Sequence, residues 1–125
     1  MEEDNKINSC KDLIVWQKAM ELVVLIYSLS ETFPKTELYC LTPQMRRCAI
    51  SIPSNIAEGC RRRTRKDYRQ FLVIAFGSGA ELETQIEIAK RLSYSKAINY
   101  TEIDKLLDEI MRMLNKLISR LGSSE

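Results

Sequence analysis

The chemistry this sequence offers is concentrated in nine consecutive residues. Residues 61–69, RRRTRKDYR, carry Arg61, Arg62, Arg63, Arg65, Lys66 and Arg69 against Asp67 alone, a net charge of +5. The flanks are slightly acidic: residues 1–60 hold six basic and eight acidic groups, and residues 70–125 hold seven and eight. The total of +2 therefore comes wholly from this segment. Guanidinium forks match phosphate oxygens, and a cluster of them attracts a polyanion by releasing counterions, without reading its sequence. The competing use is a solvated loop in which Arg62 pairs with Glu58 and Arg69 with Asp67 or Asp12. Tyr68 and Phe71 fall at positions better suited to packing than to stacking on bases.

Other chemistries are excluded by what is missing. The chain has no histidine, which removes His-based acid–base work, Ser-His or Cys-His nucleophile pairs and His metal ligation. Carboxylate-bridged metal sites in helical bundles use Glu-x-x-His pairs, and Glu81, Glu83 and Glu87 follow no such pattern. Cys10, Cys40, Cys48 and Cys60 contain no C-x-x-C pair and match no zinc spacing. They are expected to be reduced thiols in a cytoplasmic protein rather than disulfides or metal ligands. No apolar run exceeds six residues and the first ten are polar and acidic, so neither a membrane span nor a signal peptide is expected. The expectation is a non-enzymatic protein with no metal, no cofactor and no membrane partner.

A second constellation lies just upstream. Arg47, Ser51, Ser54, Asn55 and Glu58 fall within roughly 100° on one helix face, opposite Met45, Cys48, Ala49, Ile52 and Ile56. Ser and Asn are mediocre inside helices, and a plain wet face would favour Lys, Glu or Gln. Arg47, Ser51, Asn55 and Glu58 are therefore expected to form a partly buried polar network, with Arg47 reaching Glu58, or Glu81 and Gln85 on the next helix.

Four helices must position these groups. The first is expected over Asp12–Glu31, with Asp12 as N-cap and Phe33-Pro34 as terminator. The second opens at Thr42-Pro43, runs through Pro53, where a kink is expected, and stops at Gly59. The third starts at Thr64, with Asp67 placed as in a capping box, and extends to about Ser93. The fourth runs from Thr101 to about Leu121. No segment alternates as a strand would. Short connections give an antiparallel up-down-up-down four-helix bundle over residues 12–121, with residues 1–11 a flexible arm and 122–125 a tail.

The fourth helix has one apolar stripe: Ile103, Leu106, Leu107, Ile110, Met113, Leu114, Leu117 and Leu121. The first is apolar over roughly 220°, about twice what a surface helix needs. The surplus points to self-association, with Val15, Ala19, Leu22, Ile26 and Leu29 as the expected subunit interface. Gly77 and Gly79 each cost about 0.8–1 kcal/mol inside the third helix, which implies a close backbone approach or a bend.

The stretches DLIVWQKAMELVVLIY, LTPQMRRCAISIPSNIAEG and ELETQIEIAKRL resemble the ribosomal RNA intervening-sequence family of four-helix bundle proteins. The resemblance spans about residues 11–121, and Ser51–Gly59, SIPSNIAEG, is its most specific part. It implies an antiparallel bundle assembled as a homopentamer, with no catalytic activity and no cofactor. Where the family continues after AEG with one residue and then Gly-Arg, this chain has Cys60, Arg61 and Arg62, a more basic turn.

Two roles follow. The first is an oligomeric bundle that binds nucleic acid, RNA above all, through the tip between helices two and three. The alternative is an interaction or scaffold module without nucleic-acid affinity.

Overall fold

A computed structural model of the protein describes residues 10–122. Residues 1–9 of the expected arm and 123–125 of the expected tail lie outside the described residues, and Gly122, expected to open the tail, closes the last helix. Four long helices follow in order: α1, Ile14–Glu31; α2, Leu41–Cys60; α3, Arg65–Arg91; and α4, Thr101–Gly122. Short 3-10 turns at Lys35–Glu37 and Ser93–Ser95 lie in the first and third connections. Among the described residues there is no strand, and no helix is long and apolar enough to cross a membrane.

Each helix packs against two others, α1 on α2 and α4, and α3 on α2 and α4. The direction alternates. At one end Arg65, opening α3, meets the carbonyl of Arg120, closing α4. At the other end Glu37, before α2, meets Tyr94, after α3. This is the expected antiparallel bundle, with α1 and α3 diagonally opposed. Its axis is filled by residues shielded from water, among them Leu22, Ile26, Met45, Ile52, Ile56, Leu72, Leu82, Ile86, Ile110 and Leu114. On α4 five of the expected stripe residues are buried, and Met113, Leu117 and Leu121 are half-buried at the margin.

The helix starts differ from expectation where side chains other than the local hydroxyl or carboxylate do the capping. Thr42 is buried inside α2, and the Leu41 amide instead donates to Glu37 Oε1 at 3.2 Å. Asp12 stands before Leu13, which occupies the N-cap of α1 with no side-chain cap. Thr64 does cap α3, its hydroxyl accepting from the Asp67 amide at 3.1 Å. The α2 helix runs unbroken through Pro53.

Two glycines serve close packing. Gly59 is not a left-handed stop, because no glycine here has positive φ and α2 continues to Cys60. A Cβ at Gly59 would stand 2.8 Å from Phe71 Cβ and 3.1 Å from the Tyr68 carbonyl, so its missing side chain is what lets α3 return so tightly. A Cβ at Gly79 would overlap the Met111 sulfur, whereas one at Gly77 would meet nothing within 4 Å. Close approach thus accounts for Gly79 and not for Gly77.

The apolar surplus on α1 resolves into two rows with heptad-like spacing. Val15, Ala19, Leu22, Ile26 and Leu29 are buried inside the bundle. These are the residues expected at a subunit interface, and the structure corrects that assignment: they form the helix's intramolecular core. A second row, Leu13, Trp16, Met20 and Val23, lies roughly 120° round the helix and is half-buried or exposed, with Val24 beside it 64% exposed. A wide apolar arc does not by itself say which part a bundle covers; packing against α2 and α4 buries the first row, while Leu13, Trp16 and Val23 of the second touch the core only at its margin and Met20 is exposed.

Candidate nucleic-acid interface

The tip is built where four chain segments meet. The end of α2, the start of α3, the end of α4 and the residues preceding α1 all converge there. Within this setting the six cations divide into two groups of three.

The first three are held. Arg65 Nη2 donates to the Arg120 carbonyl at 3.0 Å, and Arg69 Nε donates to the Ile118 carbonyl at 3.1 Å. Both carbonyls lie near the C-terminus of α4, at the negative end of its dipole, and that of Arg120 is among the last four, which have no helical donor. Arg69 was expected beside Asp67 or Asp12; the structure pairs it with the α4 terminus instead, which packs against the start of α3. Arg62 pairs with Glu58 at 2.8 Å, one turn back on α2, and its guanidinium carbon lies 4.6 Å from the centre of the Phe71 ring.

The other three are Arg61, Arg63 and Lys66. All are exposed, and none has a hydrogen-bond or ion-pair partner among the described residues. Tyr68 is half-buried against the core, and burial pushes its hydroxyl pKa up. As expected from its position, it packs rather than presents its ring.

The cysteine expectation is overturned at this place. Cys10 and Cys60 are joined by a disulfide, with Cα atoms 5.9 Å apart. Cys10 is buried, so the expected loose arm does not reach this residue. Fifty residues separate the two in sequence, and only the bundle's folding brings the start of α1 back to the end of α2. Cys40 is a free exposed thiol and Cys48 a free buried one, its pKa pushed up chiefly by burial.

The polar strip on α2 is half as expected. Ser51 and Asn55 do form a network: Asn55 Nδ2 donates to the Ser51 carbonyl at 2.8 Å and to its hydroxyl at 3.0 Å, and that hydroxyl bonds Ser78 of α3 at 2.7 Å. This pins α2 to α3 beside Gly77 and Gly79. Glu58 stays outside the network with Arg62. Arg47 joins neither Glu58 nor Glu81 and stands exposed with no hydrogen-bond partner among the described residues. Gln85, buried between α2 and α3, donates to Cys48 Sγ at 3.4 Å and leaves its carbonyl oxygen without a partner. Among the described residues no group of three or more His, Cys, Asp or Glu could hold a metal ion.

The geometry gives a bundle of known type with a positive end, and comparison with other proteins agrees with the fold. No curated protein matches the chain. It is similar to a solved structure described as a protein of unknown function from the S23 ribosomal protein family of Bacteroides thetaiotaomicron, at 27% identity and a TM-score of 0.77. That match covers 84% of this chain and 98% of the other. The family model described as 23S rRNA-intervening sequence protein matches residues 11–116, from the residue after Cys10 through most of α4. With that span running through all four helices, the chain belongs to the 23S rRNA-intervening sequence protein family.

Proposed function

We propose that this protein is a non-enzymatic, self-associating helical bundle that binds RNA through the α2–α3 tip. The observation that carries the reading is the division of labour among the tip cations. Arg62, Arg65 and Arg69 are spent on Glu58 and on the carbonyls of α4. They anchor a turn on which Arg61, Arg63 and Lys66 stand exposed and without partners. Such a surface contacts phosphates and carries no base code, so its binding is weakly selective and strongly salt-dependent. The family's printed description, with its mention of 23S rRNA, favours RNA as the polyanion.

Self-association rests on the second row of α1, Leu13, Trp16, Met20 and Val23, and on a separate strip of α3 where Val73, Ile74 and Ile88 are exposed. These two strips differ and lie on diagonally opposed helices. A contact between them is head-to-tail, which closes into a ring when the rotation permits. The homopentamer implied by the family resemblance is such a ring, and it would repeat the tip and strengthen binding by avidity. A cytoplasmic setting fits an RNA partner and would favour the reduced form of Cys10 and Cys60.

The test is RNA affinity measured against salt for the parent and for a triple variant, Arg61→Gln, Arg63→Gln, Lys66→Gln. Loss of three phosphate contacts lowers the slope of log K on log salt by about 2. An unchanged slope, or parent affinity indifferent to salt, removes the tip from the function. Partners that survive nuclease treatment would support the scaffold role instead.

A further inference from the structure

The opposite end of α2 carries a feature that the tip leaves unused. Where α1 hands over to α2, an open cavity of about 400 Å³ is walled by Tyr27, Leu38, Pro43, Arg46, Arg47 and Ile50. Both charged residues of this wall are arginines, and no carboxylate lines it. Arg46 is fixed in place: its guanidinium carbon lies 4.3 Å from the centre of the Tyr27 ring, and its Nε donates to the buried Ser30 hydroxyl at 2.8 Å. The guanidinium is thus held over the tyrosine ring in the cavity wall. Arg47 has no hydrogen-bond or ion-pair partner among the described residues. The next residue after Leu38, Tyr39, is 91% exposed. An aromatic ring in that position has no packing role within the bundle.

The charge and shape of the wall restrict what fits. An aliphatic side chain would cover the apolar floor and strip water from two guanidinium groups with no countercharge. A nucleobase attached to its phosphate satisfies both halves, because bases stack on aromatic and guanidinium planes and the phosphate supplies the negative charge. The cavity also lies on the correct side of the molecule. Arg47 and Arg61, the C-cap of α2 with helical backbone angles, are fourteen residues apart, which places them about 21 Å apart and within roughly 40° of the same face.

We propose that this cavity seats one unstacked base of a single-stranded RNA whose backbone also meets the tip, with Arg47 on the adjoining phosphate and Tyr39 flanking the base. The proposal rests on the tip reading above and extends it, making the outer face of α2 the path of the strand. The site would thus be selective for single strands, since a base held in a duplex is not available to enter.

Two variants test it, Tyr39→Ala and Arg47→Gln, each at an exposed position outside the core, with folding confirmed by thermal melting. The probes are an oligouridylate of about 20 nucleotides, one of about four, and an abasic strand of the longer length. Each variant is expected to weaken the long oligouridylate about fivefold or more, and to leave the short one, held at the tip, unchanged. The abasic strand is expected to bind the parent more weakly than oligouridylate and to be insensitive to Tyr39→Ala. If the long strand binds both variants as it binds the parent while the tip triple variant loses it, this proposal falls and the tip reading stands. If the tip variant also binds normally, or the parent binds no RNA, both fall. Intact RNA affinity with an altered assembly mass makes the cavity a contact between copies, and likewise overturns the proposal.

Discussion

Glu37 and Tyr94 lock the two turns at the end of the bundle away from the tip. The Tyr94 hydroxyl donates to Glu37 Oε2 at 2.9 Å, while Oε1 of the same carboxylate accepts the Leu41 amide at 3.2 Å. One side chain therefore caps α2 and ties it to the connection leading into α4. Phe33 packs on the Tyr94 ring with centroids 5.1 Å apart, so the clasp has an apolar backing. Tyr94→Phe keeps that backing and deletes the hydrogen bond. It is expected to lower unfolding free energy by about 1.5–3 kcal/mol, the range for a bond to a charged acceptor, as read by urea titration. No loss would mean the bond is exchanged for water without cost.

The same clasp predicts behaviour at high pH. Burial first, and then the bond to Glu37, push the Tyr94 hydroxyl well above its ordinary value. The hydrogen bond from Lys90 to Asp104 at 2.6 Å is the main cause raising the Lys90 pKa. For both groups the folded chain holds its proton more tightly than the unfolded chain. Their contribution is therefore fully present below the unfolded values, near pH 10, and is lost as pH rises from there through the folded values. Stability should fall above about pH 10, and Tyr94→Phe should flatten part of that fall in a series of melts across alkaline pH.

The three glycines of the α2–α3 pair should respond with different signs. Gly59→Ala forces a Cβ against Phe71 Cβ and main-chain atoms that have little room to move, with an expected loss of about 1–3 kcal/mol. Gly77→Ala meets nothing and restores a better helix former, with an expected gain of about 0.5–1 kcal/mol. Gly79→Ala should fall between them, because the clash is with the flexible Met111 side chain. Thermal unfolding of the three single variants checks the order.

Within the tip, stability and binding should separate. Arg65→Gln together with Arg69→Gln removes donors from the Arg120 and Ile118 carbonyls near the end of α4. It is expected to increase hydrogen exchange in the final turn of α4 and to lower the melting temperature. The triple change at Arg61, Arg63 and Lys66 should leave the melting temperature unchanged. Equal loss in both variants would mean that the exposed cations also support the fold.

The disulfide should be visible as a reductant-dependent stability. Closing a loop between residues 10 and 60 restricts the unfolded chain by up to about 4 kcal/mol in the chain-entropy model. Melts with and without a dithiol should differ for the parent, in a Cys40→Ser background that prevents cross-linking of exposed thiols. Cys10→Ser should melt at the reduced temperature in both conditions.

The bundle was legible because its signals are local. Helical periodicity, Pro34 after Phe33, and Thr64 three residues before Asp67 each act within a turn or two of chain. The tip was legible as charge, since nine neighbouring residues stay neighbours however the chain folds. What could not be read is spatial. Which of two apolar rows on α1 faces inward depends on where α2 and α4 lie. The division of the tip cations depends on the end of α4, about fifty residues away from Arg65 and Arg69. The Cys10–Cys60 pair has the same origin. The role of Gly59 was misread because glycine after a helix commonly marks a left-handed stop, and here the demand is on space at Tyr68 and Phe71. The Tyr27–Arg46 wall left one signal in the sequence, the run Leu38-Tyr39 in a turn, apolar where a turn is ordinarily polar.

Cys10 is bonded to Cys60, and Gly122 lies so near Arg69 that a Cβ there would stand 2.9 Å from Nε. Any sequence fused ahead of residue 10 or behind residue 122 leaves the bundle beside the positive tip. An acidic purification tag joined at this pole would compete with the ligand. A reporter that leaves the tip undisturbed belongs at the far pole instead, on the exposed residues of the turn between α3 and α4, such as Ser93 or Lys96.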